Sequence, residues 1–191
     1  MAYDAEETRR RILGAATDEF SARGLAGARV DRIAAAAGCS KERIYANFGD
    51  KESLFTTVLN RSFVALGEAV ATARAADSEI ESVTGFAVAM FDHFADNPVN
   101  QRLLSWARLE DTHDWHASFA VLASVREAST AELLRLGAGT APWSVDVIFV
   151  LVLSIATAWS QLPRVDGVAG AVPDVDEQRE IVRGTVARLL T

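Results

Sequence analysis

The chain has 191 residues, half of them hydrophobic and 24% charged, with 12 glycines and four prolines; this is the make-up of a folded protein with its own core rather than a disordered one. A formal net charge of −7 argues against a surface that is basic throughout, and the single cysteine, Cys39, excludes an internal disulfide and a thiolate metal cluster. The longest apolar run, 147–158, is interrupted by Ser154 and Thr157 and falls short of the ~20 residues a bilayer span needs, so no membrane partner is expected.

The periodicity predicts an all-α protein of about nine helices. A first helix opens near Asp4, with Glu7 three residues on in the capping-box position, and buries Ile12, Leu13, Ala16 and Phe20. Residues 1–11 are dense in charge and hold no apolar stretch, so no secretory signal is read there and a cytoplasmic protein is expected. Gly24 stops this helix, and Gly27 lies in the link to the next. Arg9, Arg10 and Arg11 are in reach of a DNA backbone, but a solvated charged helix face is the commoner reading of such a run.

The stretch 30–48, VDRIAAAAGCSKERIYANF, carries the most information. Val30, Ile33, Ala34 and Ala37 recur at i, i+3, i+4 and i+7, which lines one face of a second helix. Gly38 can take the left-handed conformation that ends a helix, and Ser40 can cap the start of a third. In that third helix, 41–48, Ile44 and Phe48 share a packing face, while Glu42 and Ala46 point away with Arg43 and Tyr45 beside them. Two short helices joined by three residues form a helix-turn-helix, whose outer face can touch DNA.

A fourth helix should open after Asp50 and run to about residue 75, with Leu54, Phe55, Val58, Leu59 and Leu66 on its apolar side. Its length suits coupling between the small N-terminal module and the C-terminal helices. Further helices are predicted over 79–96, 98–109, 114–136, 144–162 and 174–190. The segment 147–155 is apolar almost all round and must be covered on more than one side. The last helix offers Ile181, Val182, Thr185, Val186 and Leu189 at helical spacing, and these two helices together suit a self-complementary interface, so a homodimer is expected.

Charge is unevenly distributed. Residues 1–51 hold nine Lys and Arg against eight Asp and Glu, net +1, whereas residues 52–191 are net −8. Within 28–51 stand five basic residues against three acidic ones, and both lysines of the chain are among them. Such a local patch can bind phosphate while the body stays acidic.

Thr8-Arg9, Ile12-Leu13, Ala15-Ala16, Phe20, Gly24, Val30, Ile33-Ala34, Ala37-Gly38, Ser40-Lys41, Ile44-Tyr45, Phe48, Lys51-Glu52 and Leu54-Phe55 together make the N-terminal quarter resemble the TetR family of bacterial transcriptional regulators. The resemblance implies a three-helix DNA-binding domain over 1–50 and a helical ligand-binding and dimerisation domain over 51–191. It further implies that Lys41, Glu42 and Arg43 open the base-reading helix beside Ser40, that Tyr45, Asn47 and Lys51 contact the DNA backbone, and that Arg29 opens the second helix. Chemistry agrees: Arg43 can grip guanine O6 and N7, and Glu42 can accept from a cytosine amino group. Two positions depart from the family pattern. Ala28 stands where threonine is common, which removes a hydroxyl cap, and Glu42 stands where glycine is frequent.

The remaining candidates divide between packing and binding. Cys39 in the turn reads as a packing residue, and His113 and His116 with Asp111 and Asp114 lack the spacing of a rigid metal site, so no metal is expected. Large side chains of the C-terminal helices pack by default, but bundle interiors also house ligands. Met90, Phe94, Trp106 and Phe119 are the candidates to line a site for an apolar small-molecule effector. No nucleophile motif, phosphate loop or acid paired with histidine occurs, so neither catalysis nor a cofactor is expected. The sequence thus predicts a repressor that binds a palindromic double-stranded operator and is released by the effector. The alternative is a helical small-molecule or protein-binding module whose DNA binding is vestigial.

Overall fold

A computed structural model describes the backbone of residues 2–75, 82–110, 116–161 and 173–191, and the side chains of 5–68, 82–110, 123–161 and 173–191. The fold is all-α. Among the described residues there are ten α-helices and one short 3-10 turn, grouped into two compact units.

The first unit contains α1 (Ala2–Gly27), α2 (Val30–Ala37), α3 (Lys41–Phe48), the start of α4 (Lys51–Ala75) and α6 (Pro98–Leu109). Its core is the predicted one. Ile12, Ala16 and Phe20 of α1, Ile33 of α2, Ile44 of α3 and Leu54, Phe55 and Val58 of α4 are all at or below 1% exposure. The Phe20 and Phe55 rings meet edge to face with centroids 4.9 Å apart. Burying one such side chain contributes about 1.5–3 kcal/mol, so this cluster is what holds the short helices α2 and α3 in place, since eight-residue helices are not stable alone.

The second unit contains the far end of α4, α5 (Val83–Asp96), most of α7 (His116–Arg135), the 3-10 turn Ala138–Thr140, α8 (Val145–Ala156), α9 (Ala158–Gln161) and α10 (Val175–Leu189). Helix α5 packs against both α8 and α10. Val83, Phe86, Met90 and Phe94 of α5, Ile148 and Val152 of α8, and Val182 and Val186 of α10 are buried. An ion pair from Arg179 Nε of α10 to Asp92 of α5, 2.9 Å, closes the edge of this packing.

Helix α1 is broken at Gly24, where φ is 66° and ψ −176°, the stop that the sequence predicts, and helical backbone resumes to Gly27. One detail differs from the prediction. The helix predicted over 144–162 divides at Thr157 into α8 and α9: the Thr157 backbone departs to φ −103°, ψ 2°, and its hydroxyl donates to the Leu153 carbonyl at 2.8 Å. The two compact units do not follow sequence order, because α6 groups with α1 rather than with its preceding neighbour α5.

Candidate nucleic-acid interface

The helix-turn-helix is built as its residues dictate. Gly38 adopts φ 63°, ψ 41°, and its N–H donates back to Ala34 and Ala35 carbonyls, closing α2. Ser40, extended at φ −86°, ψ 160°, accepts the Arg43 N–H on its hydroxyl at 3.3 Å and opens α3. Asp50 does the same for α4, accepting the Ser53 N–H at 2.7 Å. Ile44 and Phe48 are buried, so Lys41, Glu42, Arg43, Tyr45 and Ala46 are turned outward.

These outward side chains differ in what else they touch. Arg43 is exposed, and its guanidinium has no partner among the described residues. Tyr45 is 45% exposed. Lys41 pairs with Asp31 of α2, which raises the lysine and lowers the carboxyl from their ordinary values. The Glu42 carboxylate folds onto its own backbone N–H and the Ser40 hydroxyl, which hold its pKa below the usual carboxylate range. Arg29 is exposed; its backbone N–H donates to Glu19 of α1 at 3.0 Å. That carboxylate is held low chiefly by Arg32, and the N-cap of α2 is Arg29, with no side-chain cap hydrogen bond.

Asn47 and Lys51 are half-buried and face inward. The Asn47 amide donates to the Arg43 carbonyl at 2.7 Å. The Lys51 ammonium donates to the carbonyls of Leu25, 2.8 Å, and Ala28, 3.4 Å, tying the start of α4 to the link between α1 and α2. Neither tether is visible as a motif, because the partners of Lys51 lie 26 and 23 positions away.

The structure adds contacts that the sequence does not show. Arg9 of α1 donates to the Asn47 carbonyl, and Asp31 holds Lys41. The α1–α2 link is gripped from α6 as well: Trp106 Nε1 donates to the Ser21 carbonyl at 3.2 Å, and Glu110 accepts the Ala26 N–H at 3.0 Å.

Of the four predicted ligand-lining residues, Met90 and Phe94 lie one turn apart on α5, each 2% exposed. Trp106 belongs instead to the first unit, where its ring packs on Gly24 and its indole N–H is satisfied by Ser21. Phe119 stands in α7, and its side chain lies outside the described residues, as do those of Asp111, His113, Asp114 and His116. Among the described residues no three His, Cys, Asp or Glu gather to hold a metal, and no helix is long and apolar enough to cross a membrane.

A glycine turn that sets a short cationic helix outward on a buried apolar pair defines the helix-turn-helix class. Sequence comparison narrows the class. The family model described as bacterial regulatory proteins, tetR family, matches residues 12–58, and that described as the tetracyclin repressor-like C-terminal domain matches residues 82–188. The chain belongs to the TetR family. Over 109 residues it is 38% identical to the HTH-type transcriptional repressor SCO4008 of Streptomyces coelicolor, covering 57% of this chain and 54% of that protein. Over 98 residues it is 34% identical to the HTH-type transcriptional repressor NicS of Pseudomonas putida, covering 51% and 46%. The matches thus span about half the length of these curated relatives. Among solved structures, SCO4942 of Streptomyces coelicolor, classed as a transcriptional regulator, is 33% identical and superposes with a TM-score of 0.76 over 95% of this chain and 97% of that one.

Proposed function

We propose that the chain is a dimeric, sequence-specific DNA-binding transcriptional repressor released by an apolar small molecule. The observation that carries this reading is the outer face of α3, where Arg43 is exposed and unpaired among the described residues, on a helix fixed by Ile44 and Phe48. Arg43 is suited to read guanine, with Glu42 and Lys41 at the same helix start, while Tyr45 and Arg29 are suited to hold phosphates without reading sequence. Membership of the TetR family and the repressor relatives support the same reading.

Dimerisation is supported by α8. Its buried side is Ile148, Val152 and Ala156; on its other side Val147 and Val150 are 42% and 57% exposed, and Ile181 of α10 is 40% exposed. A second copy meeting these faces would give two α3 helices for two half-sites. Met90 and Phe94, adjacent and buried on α5, support an effector of apolar chemistry. Half-buried His93, whose Nε2 has no hydrogen-bond partner among the described residues, supplies a polar handle on the same helix.

The test is fluorescence anisotropy with duplex DNA from upstream of the chain's own gene, titrated across salt. Affinity should fall by about 10³-fold or more between 50 and 200 mM salt if several phosphates are contacted. Arg43→Ala should weaken binding and relax base preference at one position, whereas Tyr45→Phe should weaken binding equally for all sequences. Binding that ignores both salt and sequence would instead favour the module without DNA recognition, a reading to which the internal tethers of Lys41 and Lys51 lend weight.

A further inference from the structure

The C-terminal end of α3 is held by a residue from another helix. Arg9 Nη1 donates to the Asn47 carbonyl at 3.1 Å, and the Arg9 guanidinium carbon lies 4.4 Å from the centroid of the Phe48 ring. Both contacts fall on the last turn of an eight-residue helix. The final carbonyls of a helix lack intrahelical donors and carry partial negative charge, so a cation placed there is stabilised and fixes the helix end. A planar guanidinium can stack on a ring and donate in its own plane at once, which a lysine ammonium cannot reproduce.

The hold extends toward the reading face. Arg9 holds Asn47 at its main-chain carbonyl, and the Asn47 side-chain amide in turn donates to the main-chain carbonyl of Arg43 at 2.7 Å, so two successive contacts run from α1 to the residue best suited to read a base. Phe48 itself is 8% exposed and packed, so the surface on which Arg9 rests does not move independently of the core. Arg9 is on the exposed side of α1, where a basic side chain in this type of protein invites assignment as a phosphate contact; its two contacts are to its own chain instead.

We propose that Arg9 is a positioning residue for sequence recognition: it locks the far end of α3 to α1 and so fixes the angle at which Arg43 is presented to a base edge. This rests on the DNA-binding reading above. A base-edge contact requires angular precision that non-specific phosphate attraction does not, so loss of the lock removes discrimination before it removes attraction.

The experiment compares the full-length wild type, Arg9→Lys and Arg9→Ala on two duplexes of equal length across a range of salt. One duplex is that enriched by the wild type from a random pool; the other is its scrambled version. Positioning predicts that both variants lose affinity for the enriched duplex by about tenfold, bind scrambled DNA within about twofold of wild type, and keep the wild-type salt slope. A phosphate contact predicts a different pattern: Arg9→Lys behaves as wild type, and Arg9→Ala loosens both duplexes alike with a salt slope smaller by about one. That pattern overturns the proposal. So does a variant that melts at lower temperature yet keeps the enriched-to-scrambled ratio, since that would make the contact one of stability only. If the wild type binds DNA with no enrichment of any sequence, sequence-specific recognition fails and takes the proposal with it.

Discussion

In the N-terminal unit Ile12, Phe20, Ile33 and Ile44 are at or below 1% exposure and the outward positions are largely polar. On α8 of the C-terminal unit the apolar residues divide instead, Ile148 and Val152 fully buried and Val150 57% exposed. The outward face of α3 in the first unit is largely polar and offers charge to a partner. The second satisfies only one side of α8 and offers apolar surface. This difference fits the two partners proposed above, an ionic polymer for the one and a second copy for the other.

The largest expected effect breaks the apolar side. Val150→Asp puts a charge where a second copy would press, and sedimentation should find the variant monomeric at concentrations where the wild type is dimeric. Its affinity for a two-half-site duplex should fall about 10²-fold or more, since the two heads no longer bind as one. Next comes the corner of the N-terminal unit. A Cβ at Gly24 would lie 2.6 Å from Trp106 Cε3, and the backbone there is left-handed at φ 66°. Gly24→Ala should therefore cost about 1–3 kcal/mol in denaturant unfolding.

A smaller effect sharpens the ionic side. Asp31→Asn releases Lys41 from its ion pair, and binding to any duplex should tighten about two- to fivefold, the range expected of an exposed pair. In a Lys41→Gln background the same change should do nothing. If it still tightens binding there, Asp31 acts by general repulsion rather than through Lys41.

The smallest effect concerns pH and the C-terminal unit. Burial lowers the His93 pKa from its ordinary 6.5, with Asp96 opposing. The unfolded chain then binds a proton that the folded chain resists, so stability falls as pH drops below 6.5 and through the lowered value. The carboxylates of Glu19, Asp31 and Asp50 are also lowered, but their contribution is lost only further down, below the ordinary carboxylate range. Thermal melts between pH 7 and 5 should show a decline that His93→Gln flattens.

Much of the frame is legible in the sequence because it is local. Gly38, Ser40 and Asp50 act within three or four residues, and the stripes of α1 to α4 repeat at the helical period, so both signals lie within one short window. The break at Thr157 is not legible, since the apolar run across it has a periodicity that does not show where the backbone turns. The reading surface divides along the same line. Exposure of Arg43 and Tyr45 follows from the positions of Ile44 and Phe48, whereas the inward tether of Lys51, the pairing of Lys41 with Asp31 and the hold of Arg9 on Asn47 join residues 10 to 38 positions apart. Trp106 shows the same limit: it reads as one of the aromatic residues of the C-terminal helices, yet it seals the α1–α2 corner.

In the reading proposed here, two α3 helices, presented by two copies of the chain, read one DNA duplex. Selection of the full-length wild type against a pool of random duplexes tests it most directly. The expected result is enrichment of a two-fold symmetric sequence whose half-sites are spaced for successive major grooves, about 34 Å apart. Enrichment of no sequence, or of one unrepeated half-site bound by a monomer, would contradict it.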